Sequence, residues 1–391
     1  MDIKKARVLH ISKYYYPFLG GTEQVCRDMV KALIDTGAKQ KVICFNEDAS
    51  YEKMKCKHNE TTTDSVDGVE VVRCGYFGKV SSQALSATYG KKLKIIMDDF
   101  RPNIVILHYP NPFVTHYLLK YKRRDFKLLV YWHLDITKQK VLKHLFNKQN
   151  QNLIKRADRI LGATPKHLNE SAYTPQFGDK RYILPYMIDD NNLIMSEEEK
   201  LIGEKIKKKY SGKTIGFFIG RHVPYKGLTY LIKASKELGD ANILFLVAGS
   251  GELTDSLKEE AIGDSKIEFL GRITDSERRS YLYASDIVCF PSITRNEGFG
   301  LALAEGMYFG HPAVTFTIPG SGVNYVNLDG VTGIECPNCD YKSYAAALNK
   351  LSNDVDLREK MGIAARQRVI DNFTCESFRK NVIVLIHDLG D

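Results

Sequence analysis

The chain has 391 residues, too many for one ordinary hydrophobic core, and its length suits two domains of roughly 150–200 residues each. Hydrophobic residues make up 43% and charged residues 26% of the chain, a composition that excludes a largely disordered or low-complexity protein. The net charge of +9 comes from the first half, because residues 1–190 contain 32 basic and 20 acidic residues and the remainder contains 24 and 27.

Short apolar segments alternate with longer amphipathic segments through this first half, an order typical of βαβ units and a parallel sheet. A helix is predicted over residues 23–36, because Val25, Met29 and Leu33 fall on one helical face. The strands are predicted at residues 6–12, 41–45, 69–73, 104–108, 128–132, 159–163 and 181–184. The pattern indicates a doubly wound α/β domain.

The alternation stops at residues 184–190, and a segment rich in Glu and Lys follows at 196–209. A second series then begins, with a helix predicted at residues 228–238 and strands at residues 214–219, 242–248, 266–270, 286–290, 312–316 and 332–335. We therefore predict a first domain over residues 1–188, a second over 189–373, and a C-terminal helix over 374–391.

The longest apolar runs have the length of strands and are far too short for a membrane span, and the N-terminus lacks the apolar core of a signal peptide. A cytoplasmic location is the expectation. The densest basic run, at residues 120–127 with Lys91, Lys92 and Lys94, predicts either a solvated surface or contact with an anionic membrane. Nucleic acid is a weaker alternative, since no recognisable module interleaves aromatic and basic residues.

Only two of the eight cysteines, Cys336 and Cys339, have ligand-like spacing. Without a second pair or a nearby His, we interpret them as a loop with two thiols, with a zinc or redox site as the alternative. Asp354 and Asp356 match the Asp-x-Asp of metal-dependent transferases, but they precede a helical pattern and are interpreted as a helix start. No metal and no cofactor are predicted.

Two loops that follow first strands are suited to anions, because ligands bind at the carboxyl ends of parallel strands. Gly20 and Gly21 precede a predicted helix, where backbone N–H groups and the helix dipole favour negative charge. A tight turn would explain the two glycines equally well. Arg221 and Lys226 lie five residues apart around Pro224, so that both can converge on one diphosphate.

A third loop, residues 296–306, places two carboxylates around a glycine-rich turn. Gly298 and Gly300 expose backbone donors at a helix start, while Glu297 and Glu305 can accept hydrogen bonds from sugar or ribose hydroxyls. The alternative for Glu305 is a purely structural cap or ion pair.

These three loops together resemble the retaining glycosyltransferases of family 4, over nearly the whole chain. The most specific element is the Glu297-x7-Glu305 spacing. The resemblance implies the GT-B fold, with two facing Rossmann-like doubly wound parallel-sheet domains, a central cleft and a C-terminal helix that crosses back to the first domain. It also implies a nucleotide-diphosphate sugar as co-substrate and no metal.

By this resemblance Glu305 holds the ribose, Glu297 contacts the sugar hydroxyls, and Arg221 with Lys226 neutralises the departing diphosphate. The Gly-x-Gly turn at Gly249 and Gly251 is of a type that dehydrogenases also use. However, the full dinucleotide-binding motif Gly-x-Gly-x-x-Gly follows the first strand of neither domain, which argues against hydride transfer. The remaining donor-binding candidates implied are Gly20, Gly21, Gly249, Gly251, Arg272, Ile273, Gly298, Phe299, Gly300 and Leu301.

In the first half, the segments around His108 and His133 end strands and resemble a branch of the family linked to mannose transfer onto bacterial surface polysaccharides. His133 is predicted to position the donor, and Asp135, on the same side of an extended segment, could orient or charge it. His108, Asn111 and Asp135 are candidates for the acceptor side, with a buried structural histidine as the alternative for His108.

The expected reaction is transfer of a hexose from a nucleotide sugar, with GDP-mannose favoured over a UDP-sugar, to a glycan acceptor that is lipid-linked. Stabilising the charge that develops on the diphosphate is then a large electrostatic contribution. A hydrolase using Glu297 and Glu305 would need no diphosphate site. Two further functions remain open, namely a sugar-nucleotide epimerase on the same fold and a non-catalytic nucleotide-sugar-binding protein.

Overall fold

The computed structural model of the chain describes residues 1–18, 20–47, 58–80, 83–133, 135 and 140–390, with the backbone alone for 140–145. It divides into two compact units. The first comprises Met1–Pro185 with Phe378–Asp391, and the second comprises Tyr186–Ser377.

The first unit is built on an eight-stranded sheet with the order β10-β9-β8-β7-β1-β2-β4-β3. All neighbouring pairs are parallel except β3 with β4, and β5 pairs with β6 as a separate antiparallel hairpin. The strands are β1 (Arg7–Ile11), β2 (Lys39–Phe45), β3 (Thr62–Val66), β4 (Val69–Cys74), β5 (Gly78–Val80), β6 (Gln83–Leu85), β7 (Ile104–Tyr109), β8 (Lys127–Trp132), β9 (Arg159–Gly162) and β10 (Arg181–Ile183).

The seven strands predicted for this half are confirmed. Most of them are apolar runs that are largely buried, whereas the short strand β10 is exposed at Arg181 and half-buried at its other two residues. The edge strand β3 was not predicted, since its polar side chains are mostly exposed and show no apolar alternation. The helices of the first unit are α1 (Gly21–Ala32), α2 (Tyr89–Asp99), α3 (Pro112–Lys120), α4 (Lys140–Arg156), α5 (Pro165–Asn169) and α6 (Thr174–Phe177).

The helix α1 ends before the predicted residue 36, because Asp35 and Gly37 adopt positive φ angles of 64° and 87° that turn the chain towards β2. At its other end α1 begins at Gly21, and the N-cap residue Gly20 has no side chain with which to cap the helix.

The second unit has a six-stranded, wholly parallel sheet with the order β13-β12-β11-β14-β15-β16. The chain reverses direction across the sheet between β11 and β14, the kind of switch point where ligands bind beyond the carboxyl ends of strands. All six predicted strands are confirmed, as β11 (Thr214–Ile219), β12 (Ile243–Ala248), β13 (Ile267–Gly271), β14 (Ile287–Phe290), β15 (Ala313–Phe316) and β16 (Gly333–Cys336).

Four helices of this unit begin with a side-chain cap, at Ser196, Thr274, Asp340 and Asp354. Asp354 caps the helix Val355–Asn372 by accepting a hydrogen bond from the backbone N–H of Leu357, which confirms the helix-start interpretation of the Asp-x-Asp sequence. Cys336 is buried at the end of β16 and Cys339 is exposed, both as free thiols. The helices are α7 (Glu197–Lys209), α8 (Leu228–Glu237), α9 (Thr254–Glu260), α10 (Asp275–Ala284), α11 (Leu301–Tyr308), α12 (Val323–Val326), α13 (Tyr341–Asn353), α14 (Val355–Asn372) and α15 (Cys375–Asp388).

None of the helices in the part of the chain described above is both long and apolar enough to cross a membrane.

An ion pair joins α7 to α10 in the second unit. The Nη2 atom of Arg279 lies 2.5 Å from Glu199 Oε1, and the guanidinium lowers the pKa of this carboxyl to about 2. We expect Arg279→Leu to lower the free energy of unfolding by about 1.5–3 kcal/mol at pH 7, since hydrogen bonds to charged groups contribute this much. Urea denaturation at several pH values measures the effect.

The pH dependence has a defined sign. The folded-state pKa of Glu199 lies below the ordinary glutamate value of 4.5. The stabilisation by the ion pair with Arg279 is therefore complete above pH 4.5 and is lost as pH falls towards 2. The difference in the free energy of unfolding between wild type and Arg279→Leu should therefore shrink as pH falls from 5 to 3. Lys205→Leu, at an exposed position of the same helix α7, is the control, and a difference that stays constant with pH would contradict the prediction.

Candidate active site

Three loops of the second unit lie together beyond the carboxyl ends of β11, β12 and β13. The Gly249 N–H donates to Gly271 O at 2.7 Å, and the His222 N–H donates to Ser250 O at 3.1 Å. Arg272 Nε donates to Ser250 Oγ at 2.7 Å. The structure thus brings the predicted donor-binding turn at Gly249 and Gly251 next to Arg272 and Ile273.

The glycine at position 249 is required by close backbone packing. Its φ angle is +119°, and a Cβ atom there would lie 1.9 Å from Gly220 O. A Cβ at Gly251 would lie 2.4 Å from His222 O. Both glycines therefore allow the β12 loop to pack against the loop that carries Arg221 and Lys226.

Lys226 and Glu297 form a buried ion pair, which is the central feature of this site. Lys226 Nζ lies 2.5 Å from Glu297 Oε2, and the side chains are only 11% and 12% exposed. Ser292 Oγ donates to the same carboxylate oxygen at 3.2 Å. Arg221 is exposed, and its Nη2 donates to Tyr225 OH at 3.4 Å. A buried ammonium and an exposed guanidinium thus lie on the same loop.

The geometry of this loop depends on Gly227, whose φ angle is +65° and which caps α8. A Cβ at Gly227 would lie 2.0 Å from Pro291 O, whereas a Cβ at Gly330, with φ of +68°, would meet nothing within 4 Å. Gly330→Ala is expected to cost about 1–2 kcal/mol for the left-handed backbone alone. We expect Gly227→Ala to lower the melting temperature more than Gly330→Ala does, because its Cβ would also collide with Pro291 O. Calorimetry of both variants measures the two shifts. Equal shifts would show that the close approach to Pro291 is unimportant.

Glu305 lies one turn into α11 and pairs with Arg278 of α10. Arg278 Nη1 donates to both carboxylate oxygens, at 3.1 and 3.0 Å. Burial raises the pKa of Glu305, and the charge of Arg278 opposes that increase. The structural ion pair that the sequence left as an alternative is therefore present, and it leaves lone pairs of the carboxylate for further donors.

The turn between the two glutamates is formed as the glycine pattern predicts. Gly300 is the N-cap of α11 with a φ angle of +92°, and Gly298 O accepts a hydrogen bond from the Gly322 N–H at 2.8 Å. Phe299 is buried and packs between Tyr186 and Phe373, whereas Leu301 is 42% exposed. Phe299 thus anchors the turn.

In the first unit, Gly20 and Gly21 stand at the start of α1. A Cβ at Gly20 would lie 2.3 Å from Glu23 Oε2, while Gly21 has open space around its Cα. Burial raises the pKa of Glu23. Leu19, in the same loop, lies outside the described residues.

His108 and His133 are hydrogen-bonded to each other, between Nδ1 of His108 and Nε2 of His133 at 3.1 Å. Burial and the nearby His167 lower the pKa of His133 to about 3, so this imidazole is neutral at physiological pH. Asp135 accepts hydrogen bonds from Trp132 Nε1 at 2.7 Å, from Ser171 Oγ and from the Ala172 N–H. The role that the sequence suggested for Asp135, orienting or charging His133, stays a prediction.

Asn111 is the N-cap residue of α3 and is completely buried. Among the described residues neither atom of its carboxamide has a hydrogen-bond partner. Leu134 and Ile136, which flank Asp135, lie outside the described residues.

Sequence reasoning missed Arg278 and His10, because their partners Glu305 and Gln40 lie 27 and 30 positions away in the chain. It also missed Ser292, which lies only five residues before its partner Glu297 but belongs to no motif. Within the described parts of the chain, one group of three side chains has a spacing suited to a metal: His10, Cys26 and His108, all buried in the first unit. It contains none of the residues around Glu297 and Glu305.

Each half of the chain matches a known protein family. Residues 201–368 match the family "Glycosyl transferases group 1", and residues 19–172 match "Glycosyltransferase Family 4". The chain is 27% identical to O-antigen chain mannosyltransferase C of Escherichia coli, over 95% of each chain. It is also 27% identical to D-rhamnosyltransferase WbpZ of Pseudomonas aeruginosa, over 94% of this chain and 92% of the relative.

A solved structure has the same fold as this chain. The structure of Anabaena Alr3699/HepE in complex with UDP superimposes with a TM-score of 0.72 at 14% identity, covering 98% of this chain and 100% of that one. The two family matches fall on the two parallel-sheet units described above. The chain is therefore a glycosyltransferase of the GT-B fold, made of a family 4 domain followed by a group 1 domain.

Proposed function

We propose that this glycosyltransferase moves a hexose from a nucleoside-diphosphate sugar to a lipid-linked glycan in the synthesis of a bacterial surface polysaccharide. GDP-mannose is the favoured donor and a UDP-sugar is the second choice. Two relatives align with nearly the whole chain, and one is named as a mannosyltransferase and the other as a D-rhamnosyltransferase. These names support a donor sugar of the manno configuration. D-Rhamnose is 6-deoxymannose, so the two sugars differ only at C6.

The observation that carries the proposal is the Lys226–Glu297 pair beside the exposed Arg221. Breaking the bond between the anomeric carbon and the phosphate oxygen develops negative charge on the departing diphosphate. A preorganised ammonium and guanidinium at that position stabilise this charge more than they stabilise the bound ground state. Glu297 keeps the ammonium in place and accepts hydrogen bonds from sugar hydroxyls with its remaining lone pairs.

The transfer proceeds with retention of configuration and without a metal, as the family resemblance implies. The leaving phosphate oxygen takes the proton of the incoming hydroxyl on the same face of the sugar, so that no side chain acts as a nucleophile. Glu305 binds the ribose, and the turns at Gly249 and Gly298 surround the nucleotide. We assign His133 a role in positioning the donor, as the family resemblance implies.

We place the enzyme in the cytoplasm, at the inner face of the membrane that holds its acceptor. Lys91, Lys120, Lys122 and Arg124 are exposed on the first unit and support contact with anionic lipid, where each basic side chain contributes about 1 kcal/mol. We expect Lys120→Glu/Lys122→Glu to bind vesicles containing phosphatidylglycerol at least 10-fold more weakly than wild type, as measured by co-sedimentation. Lys205→Glu/Lys208→Glu on α7 is the charge-matched control, and equal binding by both variants would rule out this surface.

The function is tested by turnover with a panel of donors. Purified protein is incubated with GDP-mannose, GDP-D-rhamnose or UDP-glucose, with and without EDTA, and with a polyprenyl-diphosphate-linked oligosaccharide as acceptor. We expect transfer from GDP-mannose, unaffected by EDTA, to give an α-linked product by NMR. Free sugar formed without acceptor would instead indicate a hydrolase, and nucleotide binding without turnover for any donor would indicate a binding protein.

A further inference from the structure

Charged and aromatic side chains of the first unit gather where three neighbouring strands end. Lys13, Glu47 and Tyr76 each come two residues after the end of a strand, β1, β2 and β4 respectively. These strands are adjacent in the sheet, and the Phe45 N–H donates to Lys13 O at 2.9 Å beyond the end of β1. The three residues therefore stand side by side at the carboxyl edge of the sheet, the edge where parallel sheets bind ligands.

The carboxylate of Glu47 is held through one of its two oxygens. Tyr76 OH donates to Glu47 Oε2 at 2.8 Å, and Lys79 Nζ, from β5, lies 2.5 Å from the same atom. The Glu47 side chain is 11% exposed and the Lys79 side chain 40%. Within the described residues Oε1 of Glu47 has no partner, so its lone pairs can accept a hydrogen bond from a further donor.

The ammonium of Lys13 lies beside this pair and is half-buried. It is 5.0 Å from the centroid of the Tyr14 ring, and Lys79 Nζ is 5.6 Å from the same centroid. Burial lowers the pKa of Lys13, Lys79 lowers it further, and the charges of Glu23 and Glu47 oppose the change. In the part of the chain that the structure describes, this ammonium forms no ion pair or hydrogen bond, so it retains three donors for a ligand.

The balance of charge in this group indicates the class of ligand. Lys13 and Lys79 carry two positive charges, and Glu47 with the buried Glu23 of α1 carries two negative charges. A site for a phosphate needs an excess of positive charge and a site for a cation needs an excess of negative charge. A balanced group that offers both N–H donors and carboxylate acceptors suits a neutral ligand rich in hydroxyls, because each hydroxyl both donates and accepts.

An exposed aromatic ring belongs to the same hairpin as Lys79. Phe77 directly precedes β5, and its N–H donates to Leu85 O at 3.0 Å, so it continues the ladder with β6. Because side chains alternate along a strand, Phe77 and Lys79 project to the same face. Phe77 is 73% exposed, and its ring offers an apolar surface next to a few polar groups, a combination typical of small-molecule sites.

We propose that Lys13, Glu47 and Lys79 bind a neutral sugar residue of the acceptor glycan. The two ammonium groups donate to its hydroxyls, and Oε1 of Glu47 accepts from another. The C–H face of the sugar ring packs on Phe77. The identity of this sugar as part of the acceptor rests on the proposed function, whereas the binding of a sugar at these residues does not.

The test is sugar binding by the full chain without any nucleotide. Saturation-transfer-difference NMR is recorded with the methyl glycosides of mannose, rhamnose, glucose, galactose and N-acetylglucosamine. We expect at least one of them to bind wild type, and Lys13→Met and Lys79→Met to weaken that binding at least 10-fold, since hydrogen bonds to charged groups are lost. Lys79 is exposed and its ion pair contributes little to stability, so Lys79→Met should melt like wild type.

Lys41→Met is the matched control. Lys41 of β2 pairs with Glu70 of β4 at 2.7 Å, on the same two strands that lead to Glu47 and Tyr76, and its loss should leave the dissociation constant unchanged. If no glycoside binds wild type, or if all three variants bind it equally well, the sugar site is wrong. Displacement of the glycoside by inorganic pyrophosphate would assign the site to the diphosphate of a lipid-linked acceptor and would also overturn the proposal.

The acceptor KM separates the site from the proposed function. We expect Lys79→Met to raise the KM for the lipid-linked oligosaccharide about 10-fold while the donor KM stays that of wild type. If Lys13→Met and Lys79→Met lose the glycoside but keep the acceptor KM of wild type, the sugar site stands and its assignment to the acceptor is wrong. A chain that binds the glycoside and transfers sugar from no donor would contradict the proposed function alone.

Discussion

Lys226→Met is expected to lower kcat by about two to three orders of magnitude. This is the loss found when one preorganised group that stabilises developing negative charge is removed from an active site. Methionine keeps most of the volume of the lysine side chain, so the change removes mainly the charge and its hydrogen bonds. Steady-state release of the nucleoside diphosphate, with acceptor present, measures the effect. Lys233→Met, on the exposed side of α8, is the control for a lost surface charge.

The same substitution also leaves Glu297 buried without its partner, which costs about 3–5 kcal/mol when a buried pair is broken. Lys226→Met/Glu297→Gln removes both charges and should regain much of that stability. We expect the double variant to melt closer to wild type while remaining as inactive as the single variant. If activity returned together with stability, Lys226 would serve the fold and not the departing diphosphate.

Glu305→Gln is expected to weaken the binding of the nucleoside diphosphate by about 10–100-fold, since hydrogen bonds to a charged acceptor contribute about 1.5–3 kcal/mol. Isothermal titration calorimetry with GDP and UDP measures the dissociation constant without any acceptor. Burial raises the pKa of Glu305, so a falling pH protonates this carboxyl earlier than an ordinary glutamate. The difference in the dissociation constant between wild type and Glu305→Gln should therefore shrink at acidic pH.

The ion pair with Arg278 makes the control for this experiment important. Glu237→Gln changes an exposed carboxylate of α8 and should leave the dissociation constant unchanged. If Glu305→Gln lowers the melting temperature of the free protein but binds GDP and UDP like wild type, the Glu305–Arg278 pair is structural. A loss of affinity with an unchanged melting temperature assigns Glu305 to the nucleotide.

The two largest expected effects share a structural origin. Each involves a carboxylate of the loop and helix that follow β14, paired with a cation from another element of the second unit. These pairs hold charged groups in place before the substrate arrives, so that little reorganisation is needed during the reaction.

Much of the fold could be predicted from the sequence, because the signals that specify strands and helices are local. The apolar runs that become β7, β8 and β12 are continuous and almost wholly buried, as the strands of a parallel sheet must be. The positions of Glu297, Gly300 and Glu305 around one helix start also follow from their spacing alone. The polar edge strand β3 could not be predicted, since it has no apolar side to bury.

The sequence by itself determined the two α/β units and the loops that carry the candidate residues, since these depend on periodicity over a few neighbouring positions. Only the tertiary structure decided the partners of those residues: Glu297 for Lys226, Arg278 for Glu305, and His108 for His133. Lys226 and Glu297 are 71 positions apart, and they meet because β11 and β14 are neighbours in the sheet. Strand order and side-chain packing across strands depend on contacts between distant parts of the chain, which local patterns do not encode.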